Sequence, residues 1–214
     1  FLFYRFSCLY HFGIVLKWVA LLSWDFLLMK KWIENILQKD VSLSGKLRQW
    51  GEKRKHIHSL AVFFAHSGDS WYWLAFLFTI WLFTGGQWHT YTAFLAGSIL
   101  IQAIFVLAIK FIIKRSRPAG DWGAIYRNSD PHSFPSGHAT RAAMLAVLFW
   151  GLQLNPLAIL ITIWVFLVSF ARVILGVHYL SDIVAGWILG VLLGLSMLWL
   201  QPFFYSILPW AFFS

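Results

Sequence analysis

Three groups of residues in the second half of the chain carry side chains that could act together on a phosphate ester. They are Lys110 with Arg117-Pro118, the run Pro135-Ser136-Gly137-His138, and Arg172 with His178 and Asp182. Together they supply three fixed cations, a small hydroxyl beside a glycine, and two histidines, one of which has a carboxylate four residues later. Cations stabilise the charge of a transferring phosphoryl group, and imidazoles serve as nucleophiles or as general acids and bases. This inventory indicates cleavage of a phosphomonoester without a metal.

The order and spacing of these groups resemble the signature of the type 2 phosphatidic acid phosphatase superfamily. That signature reads Lys, six residues, Arg-Pro; then Pro-Ser-Gly-His; then Ser-Arg, five residues, His, three residues, Asp. The matching segments here are KFIIKRSRP (110–118), PSGH (135–138) and ARVILGVHYLSD (171–182). The one departure is Ala171, where the family usually has Ser, so a hydrogen bond from that hydroxyl to phosphate is not expected. The resemblance covers roughly the second half of the chain, and the first hundred residues match only loosely.

The resemblance implies a role for each residue. His178 would attack phosphorus to form a phosphohistidine, while Asp182 accepts a hydrogen bond from the other ring nitrogen. His138 would donate a proton to the departing alcohol oxygen and later draw a proton from the hydrolytic water. The phosphate oxygens would be held by Lys110, Arg117, Ser136, the amide of Gly137, and Arg172.

Each of these residues also has an ordinary structural interpretation. Basic residues such as Lys110 at the end of a spanning helix are often interface anchors. Ser136 could be a helix N-cap, although a helix N-terminus is also an anion site, so both interpretations can hold. His178 and Asp182 could be a surface pair one helical turn apart. The presence of all three groups in one chain favours the chemical interpretation.

No metal and no other cofactor is expected. Two histidines and an aspartate could ligate zinc, but three cations converging on the same pocket would repel it. The sequence has no cluster of carboxylates that would hold magnesium.

The composition predicts an all-α, polytopic membrane bundle. Hydrophobic residues make up 60% of the chain, charged residues 12%, and the mean hydropathy is +0.70. Residues 70–109, 142–171 and 183–214 contain no Asp, Glu, Lys or Arg. Since a spanning helix needs about 20 apolar residues, Gly85-Gly86-Gln87 would divide the first stretch into two spans. Asn155-Pro156 would divide the second in the same way, and the last span is expected at about 181–200.

The N-terminal part allows two interpretations. Residues 12–28 are apolar but carry two charges, so they predict either a further span or a helix lying in the interface. The total is therefore about six transmembrane helices, or five if this helix is interfacial. No convincing signal peptide is present, and the single cysteine, Cys8, leaves no partner for an internal disulfide. We divide the chain into an N-terminal helix and basic interfacial segment, 1–68, and a catalytic core, 69–214.

The predicted spans place the three groups on one side of the membrane. The span that ends at Ile113 leads into the first group, and the next span begins at Pro135. The following span ends at Arg172, and the last begins after His178, so we expect a single site at the membrane surface. The spacing of two helical turns also predicts that Lys110 and Arg117 lie on one helix face.

Two further segments bear on the substrate. Residues 120–134, with Asp121, Arg127, Asp130 and His132, form a polar loop that either selects the headgroup or serves as a connector. Residues 30–58 are basic and predict amphipathic helices on the membrane surface, which could hold anionic lipids near the site or could equally be inert surface helices.

These observations predict a membrane lipid phosphatase. Its substrate would be a lipid such as undecaprenyl diphosphate, phosphatidylglycerol phosphate, phosphatidate or a lipid A phosphate, and its other partner is the bilayer. Two alternatives stay open: a phosphotransferase that passes the phosphoryl group to another lipid, and a non-catalytic transporter or scaffold. The net charge of +9 fits a membrane and lipid-phosphate role better than nucleic-acid binding.

Two indications conflict about the side of the membrane that the site faces. The positive-inside tendency would place the basic segment, and with it the site, in the cytosol. Bacterial members of the family that the chain resembles usually face the periplasm. We expect a bacterial inner membrane protein with its site facing the periplasm or outside.

Overall fold

The computed structural model describes residues 29–119 and 130–212. Within these ranges the chain is helical, apart from loops and one isolated antiparallel bridge between Ser116 and His132. The predicted N-terminal span and Cys8 lie outside the described residues, as do Asp121 and Arg127 of the polar loop. The predicted all-α class is therefore confirmed for the part of the chain that is described.

Eight helices follow one another in these residues. They are α1 (29–52), α2 (Lys55–Ser67), α3 (Ser70–Phe83), α4 (Gly86–Ile113), α5 (Gly137–Gly151), α6 (Asn155–Ile174), α7 (Leu180–Ile207) and α8 (Pro209–Phe212). The part of α1 from Leu43 onward belongs to the compact unit that holds the other helices, Leu43–Ser214.

Among the described residues, three helices, α4, α6 and α7, are long and apolar enough to cross a membrane, so the protein is an integral membrane protein. Helix α3 is apolar but has 14 residues. Helix α5 has 15 residues, which gives it a length of about 22 Å against a hydrocarbon core of about 30 Å. Five helices thus occupy the positions of the five spans predicted after residue 69, and three of the five meet the length of a span.

The predicted breaks between spans fall where glycine and proline indicated them. Gly86 begins α4 with a positive φ of 61°, and α6 begins at Asn155 with Pro156 in its first turn. The last predicted span is longer than expected: α7 continues through Pro202 to Ile207. Neighbouring helices and local adjustments tolerate a proline inside a membrane helix.

The prediction that Lys110 and Arg117 share a helix face is wrong. Helix α4 ends at Ile113, and Lys114 takes the left-handed conformation with φ 53° and ψ 35°. Its amide donates to the Lys110 carbonyl at 2.9 Å, which closes the helix. Pro118 also disfavours the helical conformation for the residue before it, so Arg117 lies in a non-helical segment beyond α4.

A stripe of glycines brings α7 close to α5. Gly186, Gly190 and Gly194 recur every four residues along one face of α7. A Cβ at Gly190 would lie 2.3 Å from the Thr140 carbonyl oxygen, and one at Gly186 would lie 2.9 Å from that of Ser136. Small residues at this spacing let membrane helices approach backbone to backbone. This contact fixes the second group of site residues against the third.

The largest apolar cluster occupies the half of the bundle away from the three groups. It includes Ile99 of α4, Leu145 of α5 and Leu193 of α7, all buried. These positions lie two or more turns from the helix ends that carry the site residues. The core therefore anchors the four site helices while their other ends remain free to form a polar cavity.

Candidate active site

A cavity of about 170 Å³ lies where α4 ends and α5 begins. Five predicted site residues line it: Lys110, Gly137, His138, Arg172 and His178. The other lining residues are Gln102, Ala103, Val106, Leu107, Asp130 and Arg141. The volume is several times the ~30 Å³ that a water molecule occupies in the liquid. The fold thus brings all three sequence groups to one cavity large enough for part of a headgroup.

His178 stands in the loop between α6 and α7 and is buried. Its Nδ1 lies 3.5 Å from Oδ2 of Asp182, and its Nε2 lies 3.4 Å from Nη1 of Arg117. Burial and the positive charges of Arg117, Arg172 and Lys110 lower the pKa of His178 well below its usual range. The ring is therefore neutral at neutral pH and keeps a lone pair for attack.

Asp182 is fully buried and is held independently of His178. Its Oδ1 accepts a hydrogen bond from Arg115 Nη1 at 2.7 Å, and its Oδ2 accepts one from the Tyr179 amide at 2.9 Å. Its backbone carbonyl accepts from the Ser136 amide at 3.1 Å. Asp182 thus joins the second group to the third and presents one fixed oxygen to His178.

Lys110 and Arg117 converge on Asp130 although they do not share a helix. Lys110 Nζ donates to Asp130 Oδ2 and, at 3.0 Å, to the His132 carbonyl. Arg117 Nη2 donates to the same Oδ2 at 2.7 Å, and its Nε donates to the Asp130 carbonyl at 2.7 Å. The two cations thus share one carboxylate oxygen, which a phosphate oxygen could replace.

Ser136 lies at the N-terminus of one helix and Arg172 near the C-terminus of another. Ser136 is the N-cap of α5, and its buried hydroxyl accepts from the Ala139 amide at 3.5 Å. Its N-cap interpretation is therefore confirmed, while its contact with phosphate stays a prediction, since Gly137 and not Ser136 lines the cavity. Arg172 lies in the last turn of α6, is buried, and lines the cavity.

Asp69 is a partner of His138 that sequence reasoning missed. Its Oδ1 lies 2.7 Å from His138 Nε2, and its Oδ2 lies 3.1 Å from Nδ1 of His66. Burial acts to raise the pKa of Asp69, but the hydrogen bonds with His138 and His66 lower it to about 2. The residue lies 69 positions before His138, so no motif spacing reveals the pair. The available signal was an isolated acid at the edge of the long apolar stretch that begins at Ser70.

Gly68 makes the contact between Asp69 and His138 possible. A Cβ at Gly68 would lie 2.8 Å from His138 Cδ2 and 3.0 Å from Val168 Cγ1. A larger residue at this position would displace the His138 ring.

Arg115 is a second residue that the motif spacing did not single out. Besides its bond to Asp182, its Nη1 donates to Ser181 Oγ at 2.6 Å, and its guanidinium carbon lies 4.2 Å from the centre of the Tyr179 ring. It stands between Lys110 and Arg117, where the signature leaves the residue type open. That interval contains two basic residues, Lys114 and Arg115, and spacing alone does not show which of them contacts a site residue.

The named relatives of this chain are phosphatases. It is 39% identical over 102 residues to decaprenylphosphoryl-5-phosphoribose phosphatase of Mycobacterium tuberculosis, covering 46% of this chain and 54% of that protein. It is 28% identical over 137 residues to undecaprenyl-diphosphatase of Sulfolobus acidocaldarius, covering 63% of this chain and 66% of that protein. The chain thus spans about half the length of the first of these relatives.

Two crystal structures share the fold. A PAP2 type phosphatidylglycerolphosphate phosphatase from Bacillus subtilis superposes with a TM-score of 0.63 at 21% identity, over 81% of this chain and 88% of that one. LpxE from Aquifex aeolicus gives a TM-score of 0.55 at 20% identity, over 72% of this chain and 93% of that one. The sequence model of the PAP2 superfamily matches residues 91–206, just over half of the chain. The chain therefore belongs to the PAP2 superfamily of phosphatases, as the three sequence groups predicted.

Proposed function

We propose that the protein is a lipid phosphate phosphatase that hydrolyses a phosphomonoester or diphosphate of a membrane lipid through a phosphohistidine. The observation that carries this proposal is one cavity lined by two histidines, each with a carboxylate facing one of its ring nitrogens. Lys110 and Arg172 line the same cavity and supply the charge that a phosphoryl group needs. The phosphatase activity of the named relatives supports the same reaction class.

In the first step, Nε2 of His178 attacks phosphorus and the bond between phosphorus and the leaving oxygen breaks. His138 donates a proton to that oxygen. The distance of 3.5 Å between His178 Nδ1 and Asp182 Oδ2 would shorten as the ring gains positive charge, because hydrogen bonds of catalytic groups tighten in the reacting complex. Asp182 positions the ring and does not attack, since Arg115 and the Tyr179 amide already hold its oxygens.

In the second step, water attacks the phosphohistidine and the bond between phosphorus and nitrogen breaks. His138 accepts a proton from the water, and inorganic phosphate leaves. Since Asp69 holds Nε2 of His138, the proton would pass through Nδ1. A carboxylate on one ring nitrogen fixes the tautomer and the orientation of the ring in this way.

The fixed cations would take the place of a metal. Lys110, Arg117 and Arg172, with the Gly137 amide, would bind the equatorial oxygens, and the phosphate would displace Asp130 from Lys110 and Arg117. Arginine suits this task because its planar fork binds phosphate through two parallel hydrogen bonds. Activity should therefore survive a chelator.

The lipid tail would remain in the bilayer while the headgroup enters the cavity. Ala103 and Leu107 of α4 line the cavity and are also exposed on the surface of a membrane helix. An acyl or prenyl chain could lie along this face without leaving the hydrocarbon. The polyprenyl lipids in the names of both curated relatives make such a lipid the first substrate to test.

We place the protein in a bacterial inner membrane with the site facing the periplasm or outside. Lys110, Arg141 and Arg172 line the cavity and Arg115 binds Asp182, so these four cations do not report topology in the usual way. The basic α1–α2 region favours the opposite orientation, which makes a direct measurement decisive.

In a Cys8→Ser background, Lys53→Cys marks the site side and Gln87→Cys marks the other. Labelling of Lys53→Cys alone by an impermeant maleimide on intact cells is expected, and labelling of Gln87→Cys alone would reverse the assignment.

The test of the function is phosphate release by the detergent-purified protein from a panel of lipid phosphates and diphosphates, with EDTA present. His178→Ala is the control. Release by the wild type alone is expected. Loss of activity in EDTA that a divalent ion restores would refute the metal-independent mechanism. A phosphoenzyme that discharges only when an acceptor lipid is added would indicate a phosphotransferase, and no reaction with any lipid would favour a non-catalytic role.

A further inference from the structure

A fourth buried cation, Arg141, lines the cavity although it belongs to none of the three sequence groups. It lies on α5 three residues after His138, which places its Cα about 4.5 Å further along the helix axis. Its exposed fraction is 6%. One of its nitrogens, Nη1, donates to the Gly68 carbonyl, while its Nε has no hydrogen-bond partner in the described residues.

The charge of Arg141 lacks a dedicated counter-ion within residues 29–119 and 130–212. None of the ion pairs formed in these ranges includes this guanidinium. The acid whose charge acts on it is Asp69, and both oxygens of Asp69 are already engaged by His138 and His66. A charged side chain inside a membrane bundle is costly, and such residues ordinarily pair or mark a ligand pathway. The missing anion is therefore expected to come with the substrate.

A second buried polar residue outside the three sequence groups, Gln102, also lies at the inner end of the cavity. Gln102 lies on α4 two turns before Lys110, about 12 Å further into the bundle. It is 1% exposed and lines the cavity. Its amide nitrogen donates weakly to the Gly137 carbonyl at 3.4 Å, and its Oε1 has no partner in the described residues. Buried polar atoms are nearly always paired, so this end of the cavity is built for a polar group.

The position of Arg141 identifies which part of the substrate it meets. His138 protonates the leaving oxygen in the proposed mechanism. Arg141 donates to the carbonyl of Gly68, and Gly68 packs against the His138 ring, so this cation lies near the proton donor, on the leaving-group side. In a phosphomonoester the leaving group is a neutral alcohol, which needs no cation. In a diphosphate it is a second phosphate, which carries at least one further negative charge and remains charged after the bond breaks.

We propose that Arg141 binds the second phosphate of a lipid diphosphate, so that the cavity prefers diphosphates to monophosphates of the same lipid. The inference rests on the proposed function and assigns its substrate class. Lys110, Arg117 and Arg172 bind the phosphate that is cleaved, and Arg141 binds the one that leaves with the lipid. The amide nitrogen of Gln102 donates a hydrogen bond to the same second phosphate, and its Oε1 accepts one from water or from a protonated phosphate oxygen.

The test compares farnesyl diphosphate with farnesyl monophosphate, which differ only in the second phosphate. Arg141→Met removes the charge while keeping most of the side-chain length. It should lower kcat/KM for the diphosphate roughly 10- to 100-fold more than for the monophosphate, the range for a hydrogen bond to a charged group. Arg54→Met, which removes an exposed cation of the α1–α2 connection, is the matched control and should affect both substrates equally.

The possible results separate this inference from the proposed function. An equal loss on both substrates, or no loss on either, would overturn the role of Arg141 and leave the phosphatase intact. If the wild type releases phosphate from neither substrate nor from the wider panel, both proposals fail. Arg141→Lys keeps the charge without the planar fork, and the same two substrates can be compared with this variant if Arg141→Met does not fold. It should still cost the diphosphate roughly 3- to 10-fold more than the monophosphate, and equal values would refute the assignment.

Discussion

Replacing Asp69 with asparagine should slow both chemical steps, because it removes the charged partner of His138. Asp69 Oδ1 lies 2.7 Å from His138 Nε2, and with its pKa at about 2 the carboxylate is ionised throughout the useful pH range. A hydrogen bond to a charged group contributes ~1.5–3 kcal/mol. Asp69 is 27% exposed, so solvent weakens the interaction and the lower part of that range applies. We expect kcat to fall about 10- to 30-fold.

The assay separates an effect through His138 from general damage. An alkyl phosphate has a poor leaving group that needs a proton, whereas p-nitrophenyl phosphate has a good one that needs little help. Asp69→Asn should therefore slow formation of the phosphoenzyme mainly with the alkyl phosphate. Hydrolysis of the intermediate still needs His138 as base, so a burst of nitrophenol should appear with p-nitrophenyl phosphate.

The control for this experiment is Glu52→Gln, the same chemical change in an exposed pair with Arg48. It should leave both rates unchanged. Equal losses on the two substrates without a burst would show that Asp69 supports folding or binding instead of His138. Unchanged turnover in Asp69→Asn would refute the reasoning altogether.

Three further predictions concern the histidines, the helix contact and pH. His178→Ala should abolish both phosphate release and the covalent intermediate, whereas His138→Ala should slow turnover and let a radiolabelled phosphoenzyme persist; near-normal turnover of the first variant would disprove the nucleophile. Gly190→Ala places a Cβ 2.3 Å from the Thr140 carbonyl oxygen and should cost about 1–3 kcal/mol of stability, while Gly97→Ala meets nothing within 4 Å and should be neutral, as thermal unfolding in detergent would reveal. Because the pKa of folded His178 is depressed, the unfolded chain binds a proton below pH ~6.5 that the folded one does not, so stability should fall by up to ~1.4 kcal/mol per pH unit there; an unchanged pH slope in His178→Gln would contradict this.

Helix ends explain why so much of the cavity could be predicted from the sequence. Lys110, Ser136 and Arg172 lie within one turn of a helix terminus, and the long apolar stretches make those termini visible in the sequence. Consecutive spans cross the membrane in alternating directions, so the helix ends that carry the three groups lie on one side of the membrane. Arg117 lies off the predicted helix face because Lys114 is left-handed and ends the helical spacing before Arg117. A residue other than glycine in that conformation gives no composition signal, so the end of α4 could not be located to the residue.

The partners of the site residues were not predictable in the same way. Asp130, Arg115 and Asp69 each contact a signature residue, yet none of them stands at a position that the signature fixes. Asp130 stands between the first two signature groups, where the signature specifies no residue, and Arg115 shares its interval with Lys114. Asp69 belongs to a helix connection that the fold brings to α5 from a distant part of the sequence. Such contacts depend on tertiary packing, which motif spacing does not encode.

The family match covers the signature residues but not all of the residues that contact them. The matched region, 91–206, contains every residue of the three signature groups, but it begins after Asp69. It also leaves out Ser44, whose hydroxyl accepts from the Leu180 amide at 3.0 Å at the start of α7, and Arg48, which donates to the Ala119 carbonyl. The segment before residue 91 therefore holds His138 in orientation and supports the start of the helix that carries Asp182. In the proposed mechanism the signature supplies the reacting groups, while Asp69, Ser44 and Arg48 hold the segments that carry them. Substitutions of these three residues should therefore alter catalysis although they lie outside every motif.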